Sequence, residues 1–156
     1  MRIRLLAVGE RMPGWVQAGY EEYSKRMPRD MALELVEVPA ARRTRNTSSA
    51  KLCMDEGERL LARLRDTDYV VALDVGGKSH STESLSEWMG TWRMMGRDVA
   101  LLIGGPDGLS DAVLGRADAR WSLSPLTLPH PLVRIVLAEQ LYRAWTLLSG
   151  HPYHRA

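Results

Sequence analysis

Three stretches in the last third of this 156-residue chain combine residue types that can handle a nucleotide-like ligand. The first is Leu101-Leu102-Ile103-Gly104-Gly105-Pro106-Asp107-Gly108-Leu109, an apolar run ending in a glycine-rich turn. Gly104, Gly105 and Gly108 permit positive φ and let a ligand approach the main chain closely. The turn lacks the Gly-Lys-Ser/Thr of a P-loop and the Gly-x-Gly-x-x-Gly spacing of dinucleotide folds. Taken alone, it reads as a tight strand-to-helix connection. The second stretch, Leu123 to Pro131, alternates apolar and polar residues and contains Pro125, Pro129 and Pro131. Prolines remove donors and stiffen the path, so such a loop can offer carbonyls and amides to a purine edge while its leucines pack on the ring faces. Ser122, Ser124 and Thr127 equally suit the ordinary task of satisfying turn backbone. The third stretch is His151-Pro152-Tyr153-His154-Arg155. Tyrosine can stack on a base, histidine can exchange a proton near neutral pH, and arginine can hold a phosphate. Chain ends are also where order is weakest.

Upstream of that tail, Glu139 and Arg143 stand four apart on an apolar helical stretch, in the order that favours a surface ion pair. Arg134, near the start of the same stretch, opposes the helix dipole, which hints at a ligand or partner that needs a cation there. His130, His151 and His154 lack convergent ligand spacing, and Cys53 is the sole cysteine. No metal site and no internal disulfide is therefore expected.

These groups need a frame. Met1–Val8 and Leu33–Val38 read as strands, with Pro13 opening a helix between them that runs to about Met27. Residues 47–64 read as a helix that buries Leu52, Leu60, Leu61 and Leu64. Tyr69–Asp74 is an apolar strand ending at Gly76-Gly77. Ser81 or Thr82 caps a helix with Leu85, Trp88, Met89 and Trp92 as its core stripe. Asp98–Ile103 is apolar at every position after Asp98 and so reads as central to its sheet. A short helix at Asp111–Arg116, a strand at Ala119–Leu123 and a long helix from Leu132 to about Leu148, opened by Pro131, complete the order. Strands alternating with helices at this spacing give an α/β domain with a mainly parallel five-stranded sheet. In such sheets ligands bind beyond the carboxyl ends of the strands, where the glycine turn and the proline-bounded loop fall.

Composition sets outer bounds. The length fits one domain over residues 1–156, and 45% apolar with 26% charged residues suits a globular chain. No apolar stretch reaches membrane-span length and the start has no signal-peptide core, so a cytoplasmic location with no membrane partner is expected. Net charge is only +2, but residues 1–65 hold 13 Lys/Arg against 9 Asp/Glu. Arg42, Arg43, Arg45 and Lys51 fall within eleven residues without an acid. Such a run can attract phosphates or form a solvated loop.

Four blocks resemble the RlmH family of ribosomal RNA methyltransferases, a branch of the SPOUT superfamily. They are Ala7-Val8-Gly9, Leu102 to Gly108, Ser122-Leu123-Ser124 with Leu126 to Pro131, and Ala138-Glu139-Gln140-Leu141-Tyr142-Arg143-Ala144 leading to His151–Arg155. The resemblance implies a C-terminal trefoil knot, which the residue pattern does not foresee and general chain topology disfavours. It implies a homodimer in which each site is completed by the partner subunit. It implies S-adenosylmethionine (SAM) held by Leu73, Gly104, Leu123, Ser124, Pro125, Leu126, Thr127 and Leu128, although Pro125 has no amide to donate. The reaction implied is methylation of N3 of a pseudouridine in a hairpin loop of 23S rRNA within the assembled 70S ribosome. Tyr153, His154 and Arg155 then stand as the catalytic groups over the base, with Arg143 and Glu139 in support. Two rival readings stay open at this point. One is a nucleotide-binding α/β protein that uses Gly104–Gly108 for phosphate; the other is a non-catalytic ribosome-binding module that keeps the fold.

Overall fold

Side-chain alternation explains the core. In β1 (Ile3–Val8) and in β4 (Val99–Ile103) every residue is buried, and successive side chains serve opposite faces of the sheet. Ile3, Leu5, Ala7, Val99, Leu101 and Ile103 enter one apolar cluster, while Leu6, Val8, Ala100 and Leu102 enter the other. Strands covered on both faces lose the polar/apolar alternation of a half-exposed strand, hence their continuous apolar runs. Arg4 is the exception on β1; its buried guanidinium pairs with Asp68 at 3.0 Å and donates to the Arg63 carbonyl at 2.8 Å. The computed structural model describes residues 1–155, with side chains to Tyr153.

With β2 (Leu33–Val38), β3 (Tyr69–Ser79) and β5 (Ala119–Ser122), the five strands form a parallel sheet in the order β2-β1-β4-β3-β5. The expected central strand, β4, sits in the middle. The helices are α1 (Gly14–Ser24), α2 (Ser49–Leu61), α3 (Thr82–Met95), α4 (Asp111–Arg116) and α5 (His130–Ser149). Helix α5 packs on both α1 and α3, and α2 packs on α4. No helix among the described residues is long and apolar enough to cross a membrane.

The helix ends follow local chemistry. Ser48, Ser81 and Ser110 each accept a backbone N–H at the start of α2, α3 and α4, which satisfies one of the unpaired first-turn amides. Pro131 lies in the first turn of α5, where a missing N–H costs nothing. Gly150 ends α5 in the left-handed conformation, and His151 N returns to the Thr146 carbonyl at 2.9 Å.

One strand departs from expectation. Instead of ending at Gly76-Gly77, β3 bulges after Leu73 and rejoins β5 at Lys78, so Leu73 and Lys78 both face Trp121. The bulge pushes Asp74, Val75 and Gly76 outward at the carboxyl end of the sheet.

Candidate functional site

The carboxyl ends of β3, β4 and β5 enclose an open cavity of about 740 Å³. Its walls are the β3 bulge (Leu73, Asp74, Val75), the turn from Ile103 to Leu109, and the loop after β5 with the start of α5. The size suits a nucleoside-bearing small molecule, and apolar walls with a few polar groups are the usual make-up of such sites.

The glycine turn is tight. Gly105 and Gly108 form a bridge, with Gly108 N donating to the Gly105 carbonyl at 3.0 Å. A Cβ on Gly104 would lie 2.6 Å from the Gly108 carbonyl oxygen, so a side chain there would force the turn open. Gly108 itself adopts φ 79°, which residues with a Cβ avoid.

The loop from Leu123 to Pro129 is built by its serines. Ser122 Oγ donates to the Ser124 carbonyl at 3.2 Å, and Leu126 N donates to Ser124 Oγ at 3.0 Å. These bonds fold the loop so that Leu123, Ser124, Leu126, Thr127 and Leu128 line the cavity. Among the described residues the amides of Thr127 and Leu128 form no hydrogen bond, which leaves them for a ligand edge. Leu126 is 71% and Val75 62% exposed, an apolar rim with little covering it within the chain. Leu73 and Gly104 join the same walls; Pro125 is exposed and lies outside them.

His130 also lines the cavity, a position that reading the histidines for metal spacing does not reveal. Its Nδ1 is buried without a hydrogen-bond partner. Burial, and then the neighbouring Arg134 guanidinium, push its imidazole below the ordinary value, so the ring is neutral at pH 7. The available signal was its place between Pro129 and Pro131, which pins it at the mouth of α5.

Arg134 does not line the cavity. It is 1% exposed, pairs with Glu37 at 2.6 Å and donates to the Gly9 carbonyl at 2.8 Å. The cation that opposes the helix dipole is thus a clamp between α5 and the ends of β1 and β2.

The tail lies elsewhere. A 3₁₀ turn at Pro152–Arg155 folds back along α5, and Tyr153 Oη donates to Glu139 Oε1 at 3.3 Å. Arg143 Nε donates to the same carboxylate oxygen at 2.7 Å, and its guanidinium sits 4.9 Å from the Tyr153 ring centre. The Tyr142 and Tyr153 rings lie 4.8 Å apart. Glu139 and Arg143 therefore form their ion pair and also hold the tail. Burial, with the Glu139 charge next, raises the Tyr153 phenol above its ordinary value, so it is a neutral donor at pH 7. The His154 and Arg155 side chains lie outside the described residues.

A parallel sheet with a glycine turn and a backbone-rich loop at its carboxyl edge defines a class seen among known proteins. The family model described as "Predicted SPOUT methyltransferase" matches residues 1–154. A solved structure of a probable methylase family protein from Haemophilus influenzae Rd KW20 shares the fold, with a TM-score of 0.60 at 12% identity, covering 97% of this chain and 69% of that one. A Hahella chejuensis protein named Ribosomal RNA large subunit methyltransferase H is 66% identical over 155 residues, covering 99% of both chains. A Methylococcus capsulatus protein of the same name is 57% identical over 155 residues, covering 99% of this chain and 100% of its own. The chain belongs to the RlmH family of the SPOUT superfamily.

Proposed function

We propose that this protein methylates large-subunit ribosomal RNA, with SAM as donor, at N3 of a pseudouridine in a hairpin loop of 23S rRNA within the assembled 70S ribosome. The observation that carries this reading is the cavity itself. In a chain of this family, it gathers Leu73, Gly104, Leu123, Ser124, Leu126, Thr127 and Leu128 around one space of nucleoside size. Relatives matched over their full length are named as large-subunit rRNA methyltransferases.

The residues present fit SAM. Thr127 and Leu128 offer amides for an adenine edge, and Leu123, Leu126 and Leu128 offer apolar contact to its faces. Gly104 and Gly105 let the main chain approach. When bound, SAM supplies a methyl group activated by its sulfonium. What remains for the protein is to align the acceptor nitrogen and to manage one proton. Tyr153, as a neutral donor, can stack on or hydrogen-bond the base. His154 is the proposed base and Arg155 the cation that favours the deprotonated uracil edge.

Within one chain Tyr153 is docked on α5 and does not line the cavity. The Glu139 carboxylate that holds Tyr153 is nine residues along α5 from His130 at the cavity mouth. At 1.5 Å per residue that is about 14 Å of helix rise. This separation supports a homodimer in which the tail of each subunit closes the cavity of the other. The path of the chain supports the trefoil knot in turn. From edge strand β5 it crosses the carboxyl edge of the sheet and starts α5 beside β1, where a Cβ on Gly9 would lie 3.5 Å from His130 Cε1.

Two measurements test the reading. Calorimetry should detect SAM binding and no NAD binding; the reverse would favour the nucleotide-binding rival. Nucleoside analysis of treated ribosomes should then find 3-methylpseudouridine in 23S rRNA. SAM binding without methyl transfer to any ribosomal substrate would overturn the catalytic reading.

A further inference from the structure

At the carboxyl edge, the loops after β1 and β2 adjoin the flank of the cavity beyond the glycine turn. Val8 pairs with Val38, and Gly9 N donates to the Val38 carbonyl at 2.8 Å, so these two loops start side by side. They carry Arg11, Arg42, Arg43 and Arg45, all exposed, against a single acid, Glu10. Arg11 is held at φ 57°, a backbone conformation that residues with a side chain rarely adopt.

The root of the second loop is fixed to the cavity wall from two directions. Arg43 pairs with Asp107 of the glycine turn at 2.6 Å. Ala41 N donates to Glu56 Oε2 at 3.0 Å, and Glu56 is 3% exposed. Its carboxylate lies beneath the same turn, for a Cβ on Gly105 would be 3.1 Å from Glu56 Oε1. Arg43 is thus occupied as an anchor. Arg11, Arg42 and Arg45 enter no ion pair among the described residues. A firmly seated loop that leaves its outer guanidiniums unpaired resembles a built cationic surface more than a solvated face.

We infer that Arg42 and Arg45, with Arg11 beside them, form a phosphate-docking flank that tracks the backbone of the RNA whose target base enters the adjoining cavity. The inference rests on the proposed rRNA substrate. Guanidiniums suit the task because they hold phosphate oxygens bidentately and keep their charge at all working pH values. Phosphate contacts fix the register of a nucleic acid without reading its sequence, which places the base while the cavity performs the selection.

The test compares wild type with Arg42→Glu/Arg45→Glu and Arg42→Lys/Arg45→Lys, each as the full-length chain. For the glutamate pair, KM for 70S ribosomes should rise by about tenfold or more. The slope of log(kcat/KM) against log salt should shallow by roughly 2, one for each lost phosphate contact. Its kcat and its SAM affinity should stay within about twofold. The lysine pair keeps the charge and loses the bidentate fork, so it should keep the wild-type salt slope with a KM between the other two. Unchanged KM and salt slope in the glutamate pair would overturn the inference. So would a higher KM with an unchanged slope, which points to a ribosomal protein contact instead, or a loss of SAM binding, which points to a structural role. If the wild type methylated no ribosomal substrate, the proposed function would fail by itself. Filter binding to deproteinised 23S rRNA would then decide the docking surface: weaker, less salt-dependent binding by the glutamate pair supports it, and equal binding overturns it.

Discussion

Gly104 and His130 do different work on the same cavity. Gly104 lets the turn close, since any Cβ would press on the Gly108 carbonyl oxygen at 2.6 Å. Gly104→Ala should therefore weaken SAM binding by about tenfold, equivalent to about 1.4 kcal/mol, and also lower the melting temperature, because the atom it meets is backbone. Calorimetry and a thermal melt separate the two effects. His130 is held neutral by burial and by Arg134. Its folded pKa lies below the unfolded value, so the unfolded chain binds the proton more readily. The stability it contributes is complete above the unfolded pKa, near 6.5, and is lost as pH falls through the folded value. NMR titration of the imidazole should give a midpoint below 6.5. A midpoint at or above that value would show that the ring is neither desolvated nor repelled. The glycine turn was legible in the sequence because glycine and proline types report backbone geometry directly. His130 was not, because its importance comes from burial beside a cation brought from the next turn of the helix.

At the scale of elements, α5 joins the parts. It opens at the cavity, clamps β1 and β2 through Arg134, and carries the docking groups for the tail. Arg134→Ala would leave the Glu37 carboxylate and the Gly9 carbonyl without their partner. A loss of about 3 kcal/mol in unfolding free energy is expected, measurable by denaturant titration. A loss below about 1 kcal/mol would place Arg134 outside the clamp. The sequence made the strands and helices readable through apolar runs and serine caps, to within a few residues at most ends. It misjudged β3, because Gly76-Gly77 ordinarily ends a strand and only pairing with β5 brings the chain back at Lys78. It also misjudged Arg134, since a cation at a helix start reads as a ligand group until its carboxylate partner on another strand is seen. Both errors have one cause: the deciding contact is distant in the chain, as with the 97 positions between Arg134 and Glu37.

For the whole molecule, the proposed function requires a tail whose Tyr153 docks along α5 to act at the cavity beside the helix start. The proposed dimer meets this requirement by exchange between subunits, and complementation tests the exchange. One variant, Gly104→Arg, blocks the cavity; a second chain ends at Gly150 and lacks the tail. Each alone should be inactive. A heterodimer of the two retains one intact cavity facing one intact tail, so it should recover about half of wild-type activity per dimer. An inactive heterodimer would show that cavity and tail must lie on the same chain. The knot and the dimer entered through family resemblance. Periodicity and spacing describe local structure, whereas threading and assembly depend on how complete elements pass one another.

The central claim is methyl transfer to assembled ribosomes. Its most direct test follows labelled methyl from SAM into unmodified bacterial 70S particles, with isolated 50S subunits and naked 23S rRNA in parallel. The account predicts label in 23S rRNA of the 70S sample, confined to one pseudouridine, and little in the other two. Equal labelling of naked 23S rRNA would contradict the assembled-ribosome substrate, and no label in any sample would contradict the claim itself.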